Sequence, residues 1–177
     1  PRHTKLALPV LATLATTIGI PGIYYGSEQA FDGEGGDDNY IREAMFGGPF
    51  GAFRSTGKHC FNESSKIYQH LARLLKIRRT ESALRRGSQA LLSSPQLNGD
   101  SREGVIVWRR QYQESTLLCA VNTSNDLTQT VTLVPADLQE SSRLNCLFST
   151  ASIEEGKQLV GNTLTIQPAG FAVYKVF

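Results

Sequence analysis

The residues best able to do chemistry lie in one glycine-rich stretch, residues 31 to 63. Its charged groups include Asp32, Glu34, Asp37, Asp38, Arg42 and Glu43, and its aromatic groups include Phe46, Phe50 and Phe53. Carboxylates accept hydrogen bonds, and a guanidinium donates them through a rigid planar fork. Loops longer than about 12–15 residues are mostly functional or disordered in compact domains. This mixture of acids and rings is therefore unlike a linker, which would be polar and bland.

The residues alone leave more than one interpretation of these charges open. Asp38 and Arg42 lie four residues apart, which suits a polar ligand site but also a surface ion pair at helical spacing, worth little energetically. A complete active site built on Asp37, Asp38 and Glu43 is the weakest interpretation. Those acids are crowded on one glycine-rich loop, with no scaffold to fix their separation.

The cysteines and histidines show no metal-ligand or redox spacing. Cys60, Cys119 and Cys146 cannot all pair within one chain, and unpaired Cys is among the most buried residue types. Buried free thiols mildly favour a reducing compartment, and so a cytoplasmic location. We expect no metal and no cofactor. His70, beside the apolar stripe of a helix, should be half-buried, and Trp108 should belong to the core.

The bulk composition argues against two classes of partner. The 177 residues are 40% hydrophobic and 19% charged, with 18 basic against 16 acidic side chains, and no basic run exceeds a pair. Nucleic-acid binders usually concentrate positive charge on one face, so we expect no nucleic-acid partner. The apolar stretch 6 to 20 contains Pro9, Thr13 and Thr16 and is too short to span a bilayer. We expect it to be a core helix, with no membrane partner.

Regular elements are predicted upstream of the loop. Helical spacing of apolar residues predicts a helix over 6 to 18, which Gly19 and Pro21 stop. The stripe is Ala7, Leu11, Leu14 and Ile18. The run 23 to 25 is β-branched and aromatic between two glycines, and so predicts a short buried strand. These are parts of an α/β unit whose other strands must be missing or supplied elsewhere.

Downstream of the loop, the pattern changes from helix to strands. A helix is predicted over 64 to 79, with Asn62 or Ser64 as its cap. Its apolar stripe is Ile67, Leu71, Leu74 and Leu75. From about Gly87 short β-rich runs separated by turn clusters predict an antiparallel sandwich. The runs are Gln89–Ser93, Gly104–Tyr112, Thr116–Asn122, Gln129–Val134, Arg143–Phe148, Thr163–Gln167 and Ala172–Phe177.

Two strings resemble motifs of the α-amylase family of glycoside hydrolases. The eighth barrel strand of that family, G-I-P-x-I-Y-Y-G-x-E-Q, is matched by GIPGIYYGSEQ at 19 to 29, and its G-G-x-D-x-x-x-R-E loop by GGDDNYIRE at 35 to 43. Residues 67 to 87 resemble the last barrel helix and its exit, and the β-rich remainder resembles the sandwich domain that follows the barrel. The resemblance covers the whole chain, although its specificity lies mostly in residues 19 to 43.

The resemblance implies an α+β chain in two parts. Residues 1 to 86 would be a partial (β/α)8 barrel remnant (helix, strand, long loop, helix), and residues 87 to 177 an antiparallel β-sandwich. The family's retaining chemistry uses two carboxylates roughly 5–5.5 Å apart. It places them on strands four and five, with a third Asp in an N-H-D motif after strand seven. None of these motifs occurs in the sequence. We therefore expect an inactive fragment of a retaining α-glucan hydrolase or transglycosylase.

The resemblance also implies roles for individual residues. By position, Asp38 and Arg42 bind sugar hydroxyls in the glycone subsites. Glu28 and Gln29 are expected to support the loop through hydrogen bonds rather than act as catalytic groups. The segment 45 to 54 departs from the commoner family pattern, so its rings could stack on sugar or pin the loop to the barrel.

An alternative function is a noncatalytic carbohydrate-binding or interaction module, with the sandwich as its binding surface. The two functions differ in whether upstream sequence encodes the missing carboxylates.

Tyr24 and Tyr25 are expected to pack in the barrel. Because the strand at 22 to 26 would lack both neighbours and the first helix its barrel face, residues 1 to 60 are expected to be poorly ordered or to self-associate.

Overall fold

The computed structural model describes residues 4–31, 37–38, 62–95, 103–151 and 154–177. Its helices are α1 (Thr4–Thr16), α2 (Lys66–Thr80) and α3 (Ser82–Arg86), and a 3-10 turn spans Ser27–Gln29. Its strands are β1 (Ser88–Ser93), β2 (Val105–Tyr112), β3 (Ser115–Asn122), β4 (Gln129–Thr132), β5 (Arg143–Ser149), β6 (Gln158–Val160), β7 (Thr163–Ile166) and β8 (Phe171–Val176). The α+β class is confirmed.

The strands form the two layers of a sandwich. One sheet has the order β1-β2-β3-β8-β5-β6, and β4 pairs with β7 to form the other. All of these pairings are antiparallel. A shared core lies between the layers, with Val107, Leu118 and Tyr174 from the large sheet and Val131 and Leu164 from the small one. The predicted β-sandwich is therefore confirmed.

The helices cover the other face of the large sheet. Successive side chains of a strand point to opposite faces, so Leu118 of β3 faces the small sheet while Leu117 and Cys119 face the helices. The helix-side core is formed by Ala12, Ala15, Leu74, Ala83, Leu84, Trp108, Leu117, Cys119, Phe148, Phe171 and Val173. The large sheet is thus apolar on both faces, and the prediction that Trp108 belongs to the core is confirmed.

Residues 20 to 24 do not form the predicted strand. The structure assigns them no regular element, and Ile20 is 97% exposed. Tyr24 and Tyr25 are also exposed, their ring centroids 4.5 Å apart. The described residues do not bury these rings, and their packing in a barrel stays a prediction. A strand needs neighbours for its backbone hydrogen bonds, and no strand of the described ranges pairs with this segment.

The buried face of α1 is rotated from the predicted stripe. Its buried side chains are Leu8, Pro9, Leu11, Ala12, Ala15 and Thr16, and its exposed apolar ones are Leu6, Val10 and Leu14. The alanines allow the helix to approach the sheet closely beside Trp108. The helix also ends at Thr16, two residues earlier than predicted. The spacing of apolar residues predicted the helix, but it did not predict which of its apolar side chains are buried.

The N-terminus of α2 is capped by Ser65. Its Oγ accepts a hydrogen bond from the Tyr68 N–H at 3.2 Å. The predicted caps, Asn62 and Ser64, are wrong because they hydrogen-bond each other instead: the Ser64 hydroxyl donates to Asn62 Oδ1 at 2.6 Å. The predicted apolar stripe of this helix packs as expected, with Ile67, Leu71 and Leu74 buried.

Candidate functional site

The backbone closes into a tight turn just before the acidic loop. The N–H groups of Gln29 and Phe31 both donate to the carbonyl of Gly26, each at 3.0 Å. Gly26 has φ of +84°, and a Cβ at that position would lie 2.5 Å from the Phe31 ring. Only glycine therefore fits here. This explains physically why the matched motif has a glycine at this position.

The turn is attached to α2 at its N-terminus. The Asn62 N–H donates to Gln29 Oε1 at 3.1 Å, and the Ser65 hydroxyl donates to the Glu28 carbonyl at 3.4 Å. Below it, Ile23 and Ala30 pack on a small core of Leu11, Ile67 and Leu71. The supporting role predicted for Gln29 is confirmed, whereas Glu28 contributes here through its backbone carbonyl.

The structure describes only one of the two predicted sugar-binding residues. Asp38 is exposed, next to the equally exposed Asp37. Arg42 lies outside the described residues, so its approach to Asp38 stays a prediction. Several other groups singled out in the sequence also lie outside them: Asp32, Glu34, Glu43, Phe46, Phe50, Phe53, Cys60, His3 and His59.

The described cysteines are free and buried, as predicted. Burial raises the pKa of Cys119 to about 12 and that of Cys146 to about 11. Because the thiolate is the nucleophilic form, neither side chain is reactive at neutral pH. In the described ranges no group of three or more His, Cys, Asp and Glu side chains could hold a metal ion. No helix there is long and apolar enough to cross a membrane.

His70 is more buried than predicted, with 5% of its surface exposed. Its Nδ1 lies 2.7 Å from the Lys66 carbonyl, so Nδ1 carries the proton and donates it. Its Nε2 is buried without a hydrogen-bond partner in the described structure, and the ring meets Phe148 edge-on at 6.0 Å. Burial lowers the pKa of His70. Burial of the ring and the missing partner of Nε2 therefore favour the neutral form of His70.

Two buried arginines, which the sequence analysis did not single out, hold the C-terminus of α1. Arg78 of α2 donates to the carbonyls of Ala15 at 2.8 Å and Gly19 at 2.6 Å. Arg110 of β2 donates to the carbonyl of Thr16 at 2.6 Å. A signal was present in the spacing: position 78 continues the stripe 67, 71, 74, and position 110 lies on the same strand face as the buried Trp108.

A cavity of about 320 Å³ lies elsewhere, between α1, the start of α2 and the loops after β5 and β7. Its lining is Lys5, Leu8, Pro9, Lys66, Ile67, Thr150, Ala151, Gln167, Pro168 and Ala169. Neither the turn nor Asp38 contributes to this lining.

Known proteins are similar in sequence to both the helical first part and the β-rich second part of the chain. The sequence profile of the alpha-amylase C-terminal domain matches residues 100–167. Cyclomaltodextrin glucanotransferase from Bacillus sp. (strain 1-1) is 31% identical over 96% of the chain, and cyclomaltodextrinase from Geobacillus thermopakistaniensis (strain MAS1) is 27% identical over 97%. The chain spans only 19% and 25% of these relatives.

A solved structure shows the same fold. The α-amylase from Geobacillus thermoleovorans, crystallised with acarbose, superimposes with a TM-score of 0.71 at 24% identity. The match covers 99% of this chain and 34% of that one. The helices before the sandwich and the sandwich itself are therefore both shared. The sequence profile over residues 100–167 and the relative aligned over 96% of the chain identify the chain as the C-terminal portion of an α-amylase-family protein.

Proposed function

We propose that the chain is part of a retaining α-glucan hydrolase or transglycosylase. Residues 1 to 86 would complete its catalytic barrel, and residues 87 to 177 would form its sandwich domain. The observation that carries the proposal is the alignment with a cyclomaltodextrin glucanotransferase, which runs through both parts at 31% identity over 96% of the chain. Both quoted relatives are named for cyclomaltodextrin, so an α-glucan is the substrate class.

Within that enzyme, Asp38 and Arg42 would bind sugar hydroxyls. An exposed carboxylate can accept hydrogen bonds from neighbouring sugar hydroxyls, and a guanidinium beside it would donate to the sugar and hold the carboxylate. The nucleophile and the acid/base carboxylate would come from the remainder of the parent protein. Without them the covalent steps of retaining hydrolysis have no reacting groups, so the isolated chain would be inactive.

A chimera tests both statements. The chain is joined behind the part of the Bacillus sp. (strain 1-1) enzyme that precedes the aligned region, and turnover of starch and cyclomaltodextrin is measured. The chain alone should show none, and the chimera should be active. Asp38→Asn should lower kcat/KM of the chimera about 10- to 100-fold, because it removes the negative charge and replaces one of the two acceptor oxygens by a donor.

The adjacent acid provides the control. Asp37→Asn makes the same chemical change one residue away and should leave kcat/KM within a few-fold. Equal losses in the two variants, or an active chimera that ignores Asp38→Asn, would contradict the assignment of Asp38. Hydrolysis of starch by the repurified chain would contradict the proposal that the catalytic carboxylates come from the remainder of the parent protein.

The exposed apolar residues of the first part support its place in a larger barrel. Exposed side chains run along α1 and the segment after it, and they are Val10, Leu14, Ile18, Ile20, Tyr24 and Tyr25. Clustered exposed apolar groups mark contact surfaces. In the parent enzyme the rest of the barrel would cover them. In the isolated chain we propose that a second copy does, so that the chain self-associates.

A further inference from the structure

The C-terminus of α1 is bound by two guanidinium groups that come from different parts of the chain. Arg78 belongs to α2 and is 8% exposed, whereas Arg110 belongs to β2 of the sandwich and is 1% exposed. Arg110 also donates to the carbonyls of Gly87 at 3.0 Å and Ser88 at 3.2 Å. It therefore joins the end of α1 to the end of α3 and the start of β1.

Backbone carbonyl oxygens accept the hydrogen bonds of both buried guanidinium groups. No carboxylate is paired with Arg78 or Arg110 in the part of the chain that the structure describes. The last carbonyls of a helix have no partner within the helix, and they carry the negative end of its dipole. Arg78 and Arg110 satisfy these carbonyls on α1, and Arg110 does the same at Gly87, which ends α3.

The chain that leaves α1 is thus fixed at both of its ends. At the first end Gln89 of β1 adds a third attachment beside the two arginines. Its Oε1 accepts a hydrogen bond from the Ile18 N–H at 2.8 Å. At the second end Asn62 and Ser65 hold the 3-10 turn. Most of residues 20 to 25 between these attachments are exposed, while Ile23 packs on the small core of α1 and α2. The two attachments and this contact together set the course of the segment.

We propose that Arg110 and Arg78 are positioning residues, which set where the segment 17 to 25 leaves α1 and so make the sandwich domain part of the support for the turn before Asp38. The meaning of this support for catalysis rests on the proposed function. The support itself rests on the hydrogen bonds above. A lysine could not replace Arg110, because its compact ammonium lacks the planar fork that reaches three separated carbonyls.

Tandem arginines provide matched controls for the test. Arg109 precedes Arg110 on β2 but points to the opposite face, and Arg79 follows Arg78 but is exposed. Hydrogen exchange of the whole chain is compared for Arg110→Met, Arg110→Lys, Arg78→Met, Arg109→Met and Arg79→Met. The first three should accelerate exchange of residues 13 to 25 about tenfold or more, while β3 and β8 keep their rates. The last two should change neither region.

The fluorescence emission of Trp108 provides a second measurement in the same samples. Trp108 is the one tryptophan of the sequence, and it shares a core with Ala12 and Ala15 of α1. Its emission should shift to longer wavelength in the first three variants. If Arg110→Met does not fold, Arg78→Met and Arg110→Lys decide the question.

Two outcomes would overturn the proposal. One is unchanged exchange of residues 13 to 25 in the folded buried-arginine variants. The other is uniform acceleration across β3, β8 and α1, which would mean that the arginines stabilise the whole fold without positioning this segment. Hydrogen exchange requires no sugar and no turnover. A failure of this proposal is therefore distinguishable from an inactive chimera, which would count against the proposed function alone.

Discussion

At the scale of single residues, His70 ties the stability of the fold to pH. Its Nε2 has no acceptor nearby in the described structure, so protonation would bury a charge without a partner. Burial lowers its pKa below the ordinary value of 6.5, and the unfolded chain therefore binds the proton more readily. The contribution of His70 to stability is fully present above pH 6.5 and is lost as the pH falls towards the folded pKa.

Urea unfolding between pH 7.5 and 5 measures this effect. The free energy of unfolding should decrease with falling pH in the wild-type chain, and His70→Gln should show a shallower decrease. Gln cannot take up a proton, so it removes the titration while keeping a polar side chain. An identical pH dependence in both proteins would show that other groups cause the loss.

Residue types were easier to predict than residue positions. Burial of Trp108 and of the described cysteines followed from their chemistry alone. The positions of Arg78 and Arg110 did not, because a long cationic side chain is usually solvated and only the fold reveals the helix end that its fork reaches. The exposure of Asp38 follows from its loop, whereas its pairing with Arg42 stays a prediction because Arg42 lies outside the described residues.

At the scale of elements, the cap of α2 is a direct test of local structure. Ser65→Ala removes the side-chain acceptor of the Tyr68 N–H and should lower stability by about 1 kcal/mol. Ser64→Ala is the matched control, since its hydroxyl bonds an exposed Asn62, and it should change stability by less than about 0.5 kcal/mol. Thermal unfolding of both variants measures the difference, and equal losses would contradict the assignment of the cap.

The elements whose partners lie within the chain were predictable, and the others were not. The strands of the sandwich have their neighbours in the same sequence, and their predicted bounds agree closely with β2, β3, β5 and β8. The short strand β6 and the short helix α3 were missed, since three to five residues carry little periodic signal. The segment at 22 to 26 has residues typical of a strand, but no strand in the described ranges pairs with it. It therefore does not form a strand here.

At the scale of the whole molecule, the sandwich and the first helix should differ in protection. The slowest amides should belong to β2, β3 and β8, which lie at the centre of the large sheet and pack on both faces. Residues 20 to 25 should exchange faster than the residues of α1, because most of their side chains are exposed and residues 20 to 24 belong to no regular element. Hydrogen exchange of the isolated chain checks both expectations, and uniformly fast exchange in β2 and β3 would contradict the first.

The exposed apolar side chains of α1 predict association of the isolated chain. Light scattering across a concentration series should show a rising mean mass, since contact between copies would bury Val10, Ile18 and Ile20. Val10→Glu adds a charge to the exposed face of α1 without touching its buried face and should shift the rise to higher concentration. A mean mass of one chain at every concentration would show that this surface needs no cover.

The position of β8 has a consequence for the order in which the protein can form during synthesis. Although it is the last described strand in sequence, it lies between β3 and β5 and hydrogen-bonds to both. The earlier strands of the large sheet therefore wait, with open edges, until β8 has left the ribosome. Closing such long-range pairings is slow, and open edges invite pairing with other nascent chains.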